Sequence, residues 1–138
     1  MKSIVLLVVG LFVGAFAAVA GMSALNQGTP YNDAVMTVLG QQMGAFKAMS
    51  EGGKCDMADV SRRLALMGAV AGEVDAAFLP VGDDARFSQL SRDLNNAVSK
   101  AGAAVSEQVA TASASCETLG QVMPDIGATC KGCHDVFR

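Results

Sequence analysis

The chain has no tryptophan, one tyrosine, one histidine and three prolines in 138 residues. With so few aromatics, a core must be built from alanine, leucine, methionine and valine, most of which suit a helix well. Scarce proline leaves long stretches free of helix breakers. No segment sustains an apolar/polar alternation, so strands are not expected. Basic residues are also few, ten Lys/Arg against thirteen Asp/Glu. A chain without a basic patch is not a nucleic-acid binder.

Charge is absent altogether between Lys2 and Asp33. Inside that stretch, Ile4 to Ala20 is an unbroken run of apolar or small residues. Ala18-Val19-Ala20 then fits the small-x-small site of a signal peptidase. A signal peptide over residues 1–20 and a mature domain over residues 21–138 are expected. The rival reading is an uncleaved membrane anchor, because the apolar stretch to Leu25 is long enough to span a bilayer. Either way the remainder lies outside the cytoplasm, in the periplasm of a bacterium, where a disulfide persists. Removing Lys2 leaves nine Lys/Arg against thirteen Asp/Glu. That mildly acidic surface fits a small carrier.

Against these absences stands one concentrated motif. Cys130-Lys131-Gly132-Cys133-His134 is a CxxCH element, the attachment signature of a c-type haem. Two thiols three residues apart on one helical turn can both reach the vinyl groups of a haem and form thioether bonds. His134 follows directly, placed to aim an imidazole nitrogen at the iron. It is the only histidine, so no other imidazole competes. One covalent haem c with iron is the expected cofactor. A structural zinc would need four ligands, and the other two cysteines lack CxxC spacing.

Apolar spacing predicts four helices. The first runs from Tyr31 to Ser50 behind Pro30, with Met36, Leu39, Met43 and Phe46 on one face, and Gly52-Gly53 ends it. The second follows an Asp56 N-cap and carries Met57, Val60, Leu64, Met67, Ala71, Val74 and Phe78 in alternating steps of three and four. The third runs from Asp84 to Ala112, with Phe87, Leu90, Leu94, Val98, Ala101, Val105 and Val109 as its stripe. The fourth runs from Cys116 to Phe137, with Leu119, Val122, Ile126 and the CxxCH. Short loops between amphipathic helices demand antiparallel neighbours, so the fold class is all-α, an up-down-up-down four-helix bundle with haem near the C-terminal end of helix four. Cys55 and Cys116 fall in two loops at the end away from the CxxCH. A disulfide between them is expected if their Cα atoms come within about 7 Å; two free thiols are the alternative.

A CxxCH behind three helices resembles the class II cytochromes c, the family of cytochrome c′ and its low-spin relatives. The resemblance spans Tyr31 to Arg138. It is carried by the ending Cys-Lys-Gly-Cys-His-Asp-Val-Phe-Arg and by Met36, Met43 and Glu51-Gly52 in the first helix. Cytochrome c′ itself has a bulky apolar residue opposite the histidine, often with an arginine one turn earlier, and leaves iron five-coordinate. The low-spin branch has a methionine there. The matching position here is Met36, with Asn32 one turn before it, so the resemblance implies a low-spin His134/Met36 haem. Met43, two turns deeper, is expected at the haem edge or in the core. Arg138 is expected near a haem propionate or the haem edge.

A soft, neutral thioether binds haem iron well, and His/Met ligation raises the reduction potential. Filled axial positions leave no place for a substrate, which argues against an enzyme. The expected function is periplasmic electron transfer, with periplasmic or membrane redox proteins as donor and acceptor and with a homodimer allowed by the resemblance. The alternative is a five-coordinate, cytochrome c′-like protein that binds NO or CO. A haem-free thiol-disulfide protein using Cys130/Cys133 is disfavoured, because such motifs usually open a helix in a βαβ fold.

Overall fold

The computed structural model describes Gly14 and residues 30–138. The expected signal peptide and its Ala18-Val19-Ala20 site lie outside the described residues. The chain divides into two compact units, Met1–Pro30 and Tyr31–Arg138. The second consists of helices α1 (Tyr31–Gly52), α2 (Met57–Ala71), α3 (Val74–Ala77), α4 (Ala85–Ala110) and α5 (Cys116–Phe137), with a 3-10 turn at Val81–Asp83. Among the described residues there is no strand. No described helix is long and apolar enough to cross a membrane.

Each long helix begins and ends where local chemistry dictates. The Asp56 carboxylate accepts the orphan amides of Ala58 and Asp59 at the start of α2, at 2.9 and 3.4 Å. Asp84 does the same for Arg86 and Phe87 at the start of α4, at 2.8 and 3.0 Å. At the start of α5 the Ser115 amide donates to Thr118 Oγ1 at 3.2 Å, and the Thr118 hydroxyl donates to Gln108 on α4. Helix α1 stops at Gly53, whose φ of 60° is open to glycine at little cost.

The four long helices form a ring. Helix α1 packs on α2 and α5, and α4 packs on α2 and α5. Short links make ring neighbours antiparallel. At the centre lie Phe46, Val60, Met67, Val105, Leu119 and Ile126, all fully buried. Fully burying side chains of this kind contributes about 1.5–3 kcal/mol each. Buried Gln42 is satisfied by the Arg63 guanidinium, which donates to its carbonyl oxygen at 3.0 Å. The same guanidinium, ahead of the cost of burial, holds the Asp59 carboxyl below the usual carboxylate range.

Three expectations need correction. The second predicted helix is not continuous to Phe78. It breaks at Gly72-Glu73, where the Glu73 amide bonds the Val70 carbonyl in a tighter turn before α3 resumes the buried stripe at Val74. Glycine is about 1 kcal/mol less favourable than alanine inside a helix, so the break falls where helix is weakest. On α4 the buried position is Ser91, while Leu90 is half-buried. Val109, expected on the buried stripe, is 47% exposed.

Cys55 and Cys116 are bonded to each other, with Cα atoms 5.2 Å apart and a sequence separation of 61. Closing so long a loop in the unfolded chain sets an upper limit of about 4 kcal/mol on the stabilisation. Reduction is expected to lower the denaturation midpoint and leave the folded helix content unchanged. Equal midpoints with and without reductant, or free alkylation of both thiols in the unreduced, unfolded protein, would refute the bond.

The link between α3 and α4 is held by close approach rather than by helix. A Cβ built on Gly82 would stand 2.0 Å from the Asp75 carbonyl oxygen, which is backbone and cannot swing aside. Gly82→Ala is therefore expected to cost about 1–3 kcal/mol through overpacking, measured by chemical denaturation of the haem-loaded protein. An unchanged midpoint would show that the link yields freely.

Candidate functional site

Cys130, Cys133 and His134 occupy i, i+3 and i+4 of one helix, so they share a face of α5. Both thiols are half-buried, and His134 is exposed. Burial pushes the Cys130 thiol up, with a further push from Cys133, and burial alone pushes Cys133 up. Cys55 and Cys116 are not their equivalents: Cys116 begins α5, fourteen residues before Cys130, or roughly 20 Å along the helix.

A cavity of about 300 Å³ opens over this face. Helix α1 lines it with Met36, Leu39, Gly40 and Met43; α3 adds Val74; α4 adds Leu90, Ser91 and Leu94; and α5 adds Thr129, Cys130, Cys133 and His134. Nearly all of these are apolar. A Cβ at Gly40 would meet no atom within 4 Å, so that wall borders open space. An apolar slot with two thiols and an imidazole on one wall suits a flat, largely apolar macrocycle bound by two thioethers and one nitrogen. No group of three or more His, Cys, Asp or Glu among the described residues could hold a bare metal ion.

The structure brings Met36, Met43, Cys130, Cys133 and His134 to one cavity. Met36 and Met43 are both half-buried and pack on the core. Met43 also borders a second groove with Met123 and Pro124, between α1 and α5. Arg138 lies past the end of α5, is exposed, and is not part of the cavity wall. Asn32 also stands apart from the cavity wall.

Sequence reading did not single out Gly40, Val74, Leu90, Ser91, Leu94 or Thr129 as part of the site. Leu90, Leu94 and Val74 carry the same apolar signal as core residues, so periodicity could not separate them. Gly40 could have been found. A glycine in mid-helix is costly, and this one sits on the face of Met36, Leu39 and Met43.

Comparison with known proteins agrees with this architecture. Residues 29–138 match the family model described as Cytochrome C′. No curated protein matches. A nitric oxide complex of a mutant cytochrome c prime from Alcaligenes xylosoxidans is similar with a TM-score of 0.66 and 22% identity, over 78% of this chain and 90% of that one. The ferrous form of another variant of that protein, with bound NO, has a TM-score of 0.64 and 22% identity, over 77% and 88% of the two chains. Cytochrome c′ from Rubrivivax gelatinosus has a TM-score of 0.61 at 22% identity, over 76% and 89%. At this identity the likeness establishes the shared four-helix fold.

Proposed function

Because the chain belongs to the cytochrome c′ family, and so is a c-type haem protein, we propose that it is an exported, gas-binding member that takes NO or CO in the cavity beside Met36. Residues 1–20 act as the export signal, and residues 21–138 form the domain that works in the periplasm. Cys130 and Cys133 would hold the haem, each sulfur through one thioether bond to a former vinyl group. His134 supplies the proximal nitrogen. The haem, when bound, supplies an iron that changes oxidation state and accepts a small diatomic ligand.

The observation that carries this reading is the apolar cavity on the face of Cys130, Cys133 and His134. Leu39, Val74, Leu90 and Leu94 exclude water there and offer a neutral diatomic an apolar berth. The resemblance to cytochromes c′ solved with nitric oxide supports it.

A second reading keeps the protein as an electron carrier with Met36 as sixth ligand. One observation favours it: Met36 lines the same cavity as His134. The absorption spectrum of the haem-loaded protein decides between them. The gas-binding reading expects a high-spin ferric spectrum and a ferrous spectrum that shifts on adding CO. A low-spin ferric spectrum with the sulfur-to-iron charge-transfer band, unmoved by CO when reduced, would overturn it in favour of the carrier.

A further inference from the structure

Seven large apolar side chains stand exposed among the described residues, and five of them gather at the CxxCH end of the bundle: Tyr31, Leu79, Val81, Val136 and Phe137. Tyr31 opens α1, and its hydroxyl donates to the Glu73 carboxylate at 3.0 Å, which brings it to the link before α3. Leu79 and Val81 lie on the link between α3 and α4. The Phe137 ring meets Phe87 edge-on at 5.2 Å, and Phe87 meets Phe78 at 5.5 Å, so the end of α5 reaches that same link. Single exposed apolar residues need no explanation. A cluster in one place marks a contact surface.

The rim of this cluster is acidic. Between Glu73 and Asp84 the exposed charges are Glu73, Asp83 and Asp84, and no Lys or Arg occurs in that span. Asp33 in the first turn of α1 adds a fourth exposed carboxylate. Arg86 and Arg138 are the exposed cations there, while Lys131 is paired with Asp135. Glu73 adjoins Val74 and Val136 lies two residues past His134, so the patch borders the cavity.

We propose that this end of the bundle is the docking surface for a basic redox protein, with Leu79, Val81 and Phe137 in the contact and Glu73, Asp83 and Asp84 facing its lysines or arginines. The proposal rests on the haem reading and is independent of the axial assignment, since a haem iron of either kind can exchange one electron with a partner. One electron passes from the partner's ferrous centre, which becomes ferric, to the ferric iron here, which becomes ferrous; no bond forms or breaks. A second copy of this chain fits less well, because a two-fold contact would set the acidic rim against itself. Complementary charge governs encounter rate more than affinity, so the signature is kinetic.

The test uses the haem-loaded ferrous protein, a lysine-rich ferricytochrome c as the basic probe and ferricyanide as the small oxidant; the same surface serves transfer in either direction, and His/Met ligation makes the probe the electron acceptor. The bimolecular rate with the basic probe is expected to fall about tenfold as salt rises from about 10 to about 300 mM, as screening predicts. Leu79→Ser/Val81→Ser is expected to slow that rate severalfold and leave oxidation by ferricyanide unchanged. Asp83→Lys, which disturbs no packing, is expected to flatten the salt dependence. A normal haem spectrum with rates insensitive to salt and to both variants overturns the docking surface alone. A chain without covalent haem overturns the haem reading and the surface with it. A wild-type dimer that Leu79→Ser/Val81→Ser converts to monomer overturns the redox partner in favour of a second copy.

Discussion

Cys130→Ala/Cys133→Ala is expected to lose all of its haem in acid-acetone, while the wild-type chain keeps one haem per molecule by intact mass. The two thiols are half-buried in the cavity wall and held one helical turn apart. The effect should be large because two bonds are removed and one equilibrium is left. With both thioethers in place, the imidazole of His134 meets an iron tethered on its own helix, and ligation behaves as an intramolecular event at high effective concentration. Without them, His134 must hold a freely dissociating group. A single-cysteine variant should retain one thioether and stay resistant to extraction. Wild-type haem that extracts freely would refute covalent attachment through this motif. Cys55→Ala/Cys116→Ala is the informative control: it should lose stability through its open loop and keep covalent haem.

Met36→Ala should speed CO association with the ferrous protein about tenfold or more, the equivalent of about 1.4 kcal/mol off the barrier. Met36 is half-buried and lines the cavity, and its side chain takes up space that an incoming diatomic needs. Trimming it to a methyl group widens that space beside Gly40, where no atom stands within 4 Å of a Cβ position. Met43 borders both this cavity and the adjacent groove, so Met43→Ala should change the rate less. The same variants test the carrier reading. If the wild type is low-spin, Met36→Ala should abolish the sulfur-to-iron band and turn the iron high-spin. Loss of that band in Met43→Ala alone would move the sixth ligand to Met43. A CO rate identical in Met36→Ala and wild type would remove Met36 from the distal site altogether.

Elements whose cause is local were legible in the chain. The Asp56 N-cap, the glycine stop at Gly52-Gly53 and the full span of α5 follow from contacts within one helical turn, and the structure places that cap and the α5 ends at the predicted residues, while Asp84, expected as the first residue of its helix, caps it instead. The CxxCH belongs to the same class, since i, i+3 and i+4 on a helix fix which face Cys130, Cys133 and His134 share before any other helix is placed. The apolar stripes were readable for the same reason.

What only the tertiary structure decided is where those stripes stop being core. Leu90 shares the spacing of Val98 and Val105, yet it is half-buried on the cavity wall while Val98 and Val105 fill the interior. Val109 continues the same spacing and is 47% exposed. The interruption at Gly72 and the close approach of Gly82 to Asp75 join residues whose contact depends on how α3 folds back on its link. The gathering of Tyr31, Leu79, Val81, Val136 and Phe137 at one end draws on both termini of the described bundle and its central link, and no window of sequence contains it. Periodicity states which residues share a face of one helix; the packing of the other helices determines whether that face meets core, cavity or solvent.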